Sequence, residues 1–121
     1  MKNEEMRLHL EQILENCRLV TLLQPILDLV EGQVMGYEAL SRGPSDSPLH
    51  APQVMFRVAE ANGLLTTLDW ACMRMALKTF ARLNLSGRLF VNLSPHSLLH
   101  ASFAPAAIQA ELDATGIASN R

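Results

Sequence analysis

The segment Tyr37-Glu38-Ala39-Leu40-Ser41-Arg42-Gly43-Pro44 places a carboxylate and a guanidinium four residues apart, directly before a Gly-Pro loop. Most of it belongs to the second of two stretches rich in β-forming residues, Leu19 to Val30 and Gln33 to Ser41. Glu31-Gly32 separates these stretches and has the composition of a turn. The pattern predicts a β-hairpin whose second strand ends in a pair of opposite charges.

The segments around the hairpin have helical periodicity. The predicted helices span residues 4–17, 52–63, 67–83 and 104–115, where apolar residues recur on one face. Arg88 to Ser94 is a short apolar stretch, typical of a strand buried on both faces in a parallel sheet. Strands separated by helices of this length imply crossover connections, so the sequence predicts an α/β fold with a partly parallel sheet.

The composition indicates one core-forming globular domain. The 121 residues are 49% hydrophobic and 18% charged, with a formal net charge of −2. This balance gives no electrostatic footprint for a nucleic-acid polymer or a membrane surface, although placed arginines can still hold a small anion. No run approaches the ~18–20 apolar residues of a membrane span, and no signal-peptide pattern opens the chain. We therefore expect a cytoplasmic protein.

The two cysteines, Cys17 and Cys72, lie in helix-like segments without metal-ligand spacing. Free buried thiols of a cytosolic protein are the favoured interpretation, and a disulfide or a zinc site is the alternative.

Glu38 and Asn92 are the residues most suited to bind a metal. Each lies near the carboxyl end of a predicted strand, the edge at which ligands gather in α/β sheets and barrels. A carboxylate and a carboxamide that converge there suit a hard divalent cation, Mg²⁺ or Mn²⁺. The residues alone leave a structural alternative open, in which Glu38 pairs with Arg42 and Asn92 caps the following turn.

Five short motifs, in order along the chain, resemble the EAL-domain family. They are Leu23-Gln24-Pro25, Tyr37 to Arg42, Ser47-Pro48-Leu49, Leu68-Asp69 and Phe90 to Ser94. Each string is weak alone, but together they cover about residues 19–117 on the predicted elements. Members of this family bind the bacterial messenger cyclic di-GMP, and many hydrolyse it to linear pGpG with metal ions.

The resemblance assigns roles to individual residues. Glu38 and Asn92 match two of the family's metal ligands, with Mg²⁺ or Mn²⁺ implied for the complete domain. Arg42 matches the arginine that grips a ligand phosphate, a task suited to a planar bidentate donor. Gln24 and Leu40 match residues that contact the dinucleotide. A surface ion pair at Arg42 and an ordinary strand-end hydrogen bond at Gln24 are the structural alternatives.

The resemblance also implies an architecture. EAL domains resemble a TIM barrel, which typically needs roughly 250 residues and eight strands. We therefore predict a partial TIM-like EAL barrel with an antiparallel first strand. Residues 1–18 would form an extra amino-terminal amphipathic helix, and residues 19–121 the amino-terminal half of the domain.

The family segments that would supply the second metal-binding glutamate, the paired aspartates, the lysine and the final glutamate and glutamine have no counterpart here. Hydrolysis usually needs two cations that stabilise the attacking and leaving oxygens, and two ligands cannot hold them. We therefore expect this chain to bind metal weakly at most and to be inactive alone.

Three functional hypotheses remain open from the sequence. The chain is part of a cyclic di-GMP phosphodiesterase, a non-catalytic cyclic di-GMP sensor, or an oligomerising protein-interaction module derived from an EAL domain. A partial barrel leaves strand edges and one sheet face uncovered, which favours association. We therefore predict a homodimer or a higher oligomer, with domain swapping as one route.

Overall fold

The computed structural model describes residues 3–100 and 103–117. In chain order its helices and strands are α1 (Asn3–Glu15), β1 (Val20–Asp28), β2 (Gln33–Arg42), α2 (Pro52–Ala61), α3 (Leu65–Arg82), β3 (Arg88–Val91), α4 (Pro95–Leu98) and α5 (Pro105–Thr115).

The strands form one mixed sheet in the order β1-β2-β3. β1 and β2 pair antiparallel as a hairpin, and β2 and β3 pair parallel. The chain between β2 and β3 contains α2 and α3, the crossover that a parallel pair requires. The predicted α/β class, the antiparallel first strand and the parallel portion are all confirmed.

A local hydrogen-bonded turn sets the register of the hairpin. The side chain of Asp28 accepts hydrogen bonds from the amides of Val30 and Glu31, at 2.9 and 3.2 Å. Gly32 follows with a φ of 68°, a left-handed conformation that glycine adopts without steric cost. The turn therefore lies where the Glu31-Gly32 pair predicts it.

α3 is the central element of the core. With α1 and α2 it encloses one cluster of buried side chains, which comprises Leu10, Ile13, Leu19, Leu49, Met55, Val58, Ala59, Leu68 and Cys72. On another side Met73 and Leu77 of α3 pack with Phe103, and partly buried side chains of β3 and α5 join this second cluster. Each large side chain removed from water there contributes roughly 1.5–3 kcal/mol.

The structure corrects the prediction for the third strand. β3 ends at Val91 rather than Ser94, and its residues alternate between exposed and half-buried. Phe90 is 41% exposed, so the strand is covered on one face only. The expectation of burial on both faces is wrong because no described element packs against the second face of the sheet among residues 3–100 and 103–117. α4 was not predicted either.

One of the two cysteine predictions is also wrong. Both thiols are free, but only Cys72 is buried. Cys17 lies beyond the last residue of α1 with a positive φ of 51°, where the chain leaves the helix and the side chain faces solvent.

Candidate functional site

The two faces of the sheet have different surroundings. Side chains alternate between faces along a strand, and paired residues on neighbouring strands share a face. Ser41 forms a hydrogen bond with Cys72 of α3, and the Tyr37 ring meets Phe80 of α3 edge-on at 6.2 Å. Tyr37, Ala39 and Ser41 of β2 thus face α3; we call this side of the sheet the closed face.

The opposite side, which we call the open face, has no described helix packed on it. It consists of Val20, Leu22 and Gln24 of β1, Glu38, Leu40 and Arg42 of β2, and Phe90 of β3. In the register, Gln24 lies opposite Glu38, which also lies beside Phe90, and Leu22 lies opposite Leu40. The predicted site residues of β1 and β2 therefore line one surface.

Glu38 and Asn92 are in direct contact. Asn92 immediately follows β3, whose last residue pairs with Ala39, and its Nδ2 donates a hydrogen bond to Glu38 Oε2 at 3.1 Å. The structural alternative given above for Glu38 and Asn92 is not realised in either part. Glu38 makes no ion pair with Arg42 among the described residues, and Ser94, rather than Asn92, caps the next helix.

Arg42 ends β2 at the same edge. Its Nε is buried and has no hydrogen-bond partner within residues 3–100 and 103–117. The loop after it is tightly closed, because the Gly43 amide donates to the His50 carbonyl at 3.2 Å and a ring nitrogen of His50 lies 2.9 Å from the Gly43 oxygen. A β-carbon at residue 43 would collide with the Leu49 carbonyl, so only glycine fits this approach.

A cavity of about 210 Å³ opens beside these groups. It lies at the carboxyl ends of β2 and β3, and its lining consists of Ala39, Leu40, Ser41, Arg42, Pro52, Phe56, Cys72, Val91 and Asn92. A lining of one guanidinium, one carboxamide and two neutral donors amid apolar walls suits part of a polar ligand with an anionic group.

The buried thiol of Cys72 is part of the lining of this cavity. Burial raises its pKa from 9.0 to about 11, against an opposing effect from the hydrogen bond with Ser41, and the nearby Asp69 carboxylate adds to the increase. The thiol is therefore neutral at physiological pH and has little nucleophilic character. Its helical periodicity predicted the burial, but nothing in the sequence indicated that it would line the site.

The donor set at this edge fits a divalent cation only in part. Glu38 supplies a carboxylate, and a half-turn of the Asn92 carboxamide exchanges Nδ2 for Oδ1, which gives two oxygen donors. In the part of the chain that the structure describes, no group of three His, Cys, Asp or Glu side chains gathers as a metal site would.

Comparison with known proteins identifies similar chains and folds. The family model described as EAL domain matches residues 7–121. The chain is 33% identical over 120 residues to the cyclic di-GMP phosphodiesterase NbdA of Pseudomonas aeruginosa, an alignment covering 95% of this chain and 15% of that protein.

Two solved structures have the same fold over nearly the whole chain. The EAL domain of Xanthomonas citri FimX, in complex with cyclic di-GMP, gives a TM-score of 0.79 at 21% identity. The match covers 95% of this chain and 46% of that one. The EAL domain of P. aeruginosa FimX, bound to cyclic di-GMP, gives 0.78 at 25% identity, with coverages of 93% and 46%.

The chain thus spans about 15% of the length of its curated relatives and less than half of the solved EAL domains. Its fold is accordingly part of the TIM-barrel-like architecture. None of the helices in the described ranges has the length and apolar character needed to cross a membrane.

Proposed function

The chain belongs to the EAL domain family, and on that premise we propose that it is the amino-terminal part of an EAL domain that acts in cyclic di-GMP signalling. The observation that carries this proposal is the convergence of five motif residues. Glu38 contacts Asn92, and Gln24, Leu40 and Arg42 lie on the same open face or at its edge. The names of its relatives support the choice of ligand, since NbdA is a cyclic di-GMP phosphodiesterase.

Glu38 and Asn92 would hold one divalent cation, Mg²⁺ or Mn²⁺, through the carboxylate and Oδ1. Such a cation, when bound, neutralises phosphate charge and activates water for attack on phosphorus. In this chain Glu38 and Asn92 already lie within hydrogen-bond distance of each other, so little rearrangement is needed to bring both oxygens onto one ion.

Arg42 would bind a phosphate of the dinucleotide. Its buried Nε has no hydrogen-bond partner in the part of the chain that the structure describes, which costs free energy, and a phosphate oxygen would satisfy it. Leu40 supplies an apolar wall next to it, and Gln24 lies across the strand pair from Glu38, where its carboxamide can reach the same ligand.

Hydrolysis to linear pGpG belongs to the complete domain in this proposal. Two protein ligands do not fix an ion tightly, and no second cation site accompanies them in the described residues. We expect this chain alone to bind Mn²⁺ weakly and to produce no detectable pGpG from cyclic di-GMP.

The open face favours self-association of the isolated chain. Val20, Leu22 and Phe90 are 42%, 45% and 41% exposed there, and β1 and β3 are both edge strands of the sheet. A second copy that packs on these three apolar side chains would remove them from water and pair the open edges. We further place the protein in the cytoplasm, where two free thiols remain reduced.

Paramagnetic broadening by Mn²⁺ tests the metal site, because it is sensitive even to weak occupancy. We expect added Mn²⁺ to broaden the NMR signals of Glu38 and Asn92 first, and Glu38→Gln to weaken this effect. A Glu60→Gln variant, exposed on α2, is the matched control. Broadening that is the same in wild type and Glu38→Gln would contradict the assignment.

Size-exclusion chromatography with light scattering tests the assembly. We expect the mass of a dimer or larger species at micromolar concentration. A stable monomer there would refute self-association without affecting the proposed metal and nucleotide site.

A further inference from the structure

We propose that Asp69 is a positioning residue that holds Asn92 against Glu38 through the turn that follows β3. The inference deepens the proposed function, on which its relevance to metal binding rests. Asp69 lies in α3, outside the open face, and is only 1% exposed. A charged side chain buried to this degree requires strong compensating hydrogen bonds.

Within residues 3–100 and 103–117, the side-chain hydrogen bonds to Asp69 come from the segment after Asn92. Asp69 Oδ2 accepts from the Ser94 amide at 3.2 Å, from Ser94 Oγ at 2.5 Å and from Ser97 Oγ at 2.5 Å. Ser97 is itself fully buried, and its hydroxyl lies 3.4 Å from Thr66 Oγ1 of α3. Ser94 also caps α4, because its side chain accepts from the Ser97 amide.

This arrangement fixes the chain on both sides of Asn92. On one side Val91 is the last residue of β3 in register with β2, where it pairs with Ala39. On the other side Ser94 is bonded to α3 through Asp69. Only Asn92 and Leu93 lie between these points, and Leu93 packs in the second core cluster. The backbone of Asn92 consequently has little freedom to move its carboxamide away from Glu38.

The same helix also supports the neighbouring strand. Cys72 lies three residues after Asp69, so both side chains project from one face of α3. Cys72 bonds to Ser41 of β2 while Asp69 bonds to the turn after β3. α3 therefore sets the ends of both strands relative to each other, and Asp69 is the member of this pair that acts on Asn92.

The test is an NMR comparison of wild type and Asp69→Asn, without metal or nucleotide. The isosteric amide keeps the shape but removes the charge from three hydrogen bonds. We expect the exchange protection of the Ser94 amide to fall ~10-fold or more, as for a lost hydrogen bond to a charged group. The side-chain amide signals of Asn92 should shift toward their positions in Glu38→Ala, in which the contact is removed.

Asp113→Asn, on the exposed surface of α5, is the matched control and should leave both signals unchanged. If Asp69→Asn does not fold, Ser94→Ala replaces it, since that variant keeps Asp69 and removes one hydroxyl; a smaller shift in the same direction is expected.

Loss of Ser94 protection with unchanged Asn92 signals, in whichever variant folds, would show that Asp69 stabilises only the turn and would overturn the proposal. Unchanged Ser94 protection would overturn it as well. Because the spectra contain no ligand, a failure of Mn²⁺ or cyclic di-GMP to bind wild type would count against the proposed function and leave this result intact.

Discussion

The closed face and the open face of one three-stranded sheet differ in what covers them and in what they contain. The closed face packs on α3 and includes the edge-on contact of Tyr37 with Phe80 and the hydrogen bond of Ser41 with Cys72. The open face bears Glu38, Leu40 and Arg42 on the same strand with no described helix above them. Alternation along β2 thus separates residues that stabilise the fold from residues that we propose contact a ligand or a partner.

The largest expected contrast is in the loss of stability caused by truncating two phenylalanines. One is packed behind the closed face, and the other is exposed on the open face. Phe80 is 1% exposed behind the closed face, and Phe90 is 41% exposed on the open face. We expect Phe80→Ala to lower the free energy of unfolding by about 3–5 kcal/mol, since it leaves a cavity. Phe90→Ala should lower it by less than about 1 kcal/mol. Urea unfolding measures both, and equal losses would contradict the division between the faces.

Part of the loss of stability at alkaline pH should come from Cys72, behind the closed face. The pKa of Cys72 is raised from 9.0 to about 11 in the folded chain. The neutral thiol's contribution to the free energy of unfolding is therefore fully present below pH 9 and is lost as the pH rises through about 11. A shift of this size corresponds to roughly 2–3 kcal/mol.

We expect wild type to lose that much more stability than Cys72→Ala between pH 8.5 and 11.5, as measured by urea unfolding. The variant is the control for every other group that titrates in this range. Parallel pH profiles for the two proteins would show that the buried thiol does not couple to folding.

Substitution of an exposed apolar residue on the open face should weaken self-association and leave the free energy of unfolding nearly unchanged. Leu22→Ser removes an apolar side chain that is 45% exposed on the open face. Leu8→Ser does the same at a side chain of α1 that is 49% exposed. Both should change the free energy of unfolding by no more than about 0.5 kcal/mol.

Only Leu22→Ser is expected to shift the light-scattering mass toward the monomer. If Leu8→Ser shifts the mass toward the monomer and Leu22→Ser does not, the interface lies on α1 and the open face is not where copies meet.

The sequence predicted the elements that depend on local signals. The hairpin, its turn and the helices after Pro52 and Pro105 follow from composition, periodicity and the residues at element ends. α4 was missed although Ser94-Pro95 is the usual N-cap and first-turn pair, because the helix is too short to show periodicity. The family motifs identified the open-face residues, and the register brings them together.

Features that depend on long-range contacts could not be predicted in this way. The exposure of Phe90 depends on which element covers the second face of the sheet, which strand hydrophobicity alone does not reveal. The bonds from Asp69 to Ser94 and Ser97 join residues 25 and 28 positions apart. The sequence marks the Leu68-Asp69 pair only as a motif, because no local rule assigns a partner to a buried carboxylate.

The most direct test of ligand binding at the open face is a ¹H–¹⁵N NMR titration of the chain with cyclic di-GMP in the presence of Mg²⁺. We expect the amide signals of Gln24, Leu40, Arg42 and Asn92 to move, the signal of Phe80 behind the closed face to stay in place, and Arg42→Ala to abolish the shifts. Signals that do not move at all, or that move equally on both faces and persist in Arg42→Ala, would contradict the claim that the open face is the ligand-binding half of an EAL site.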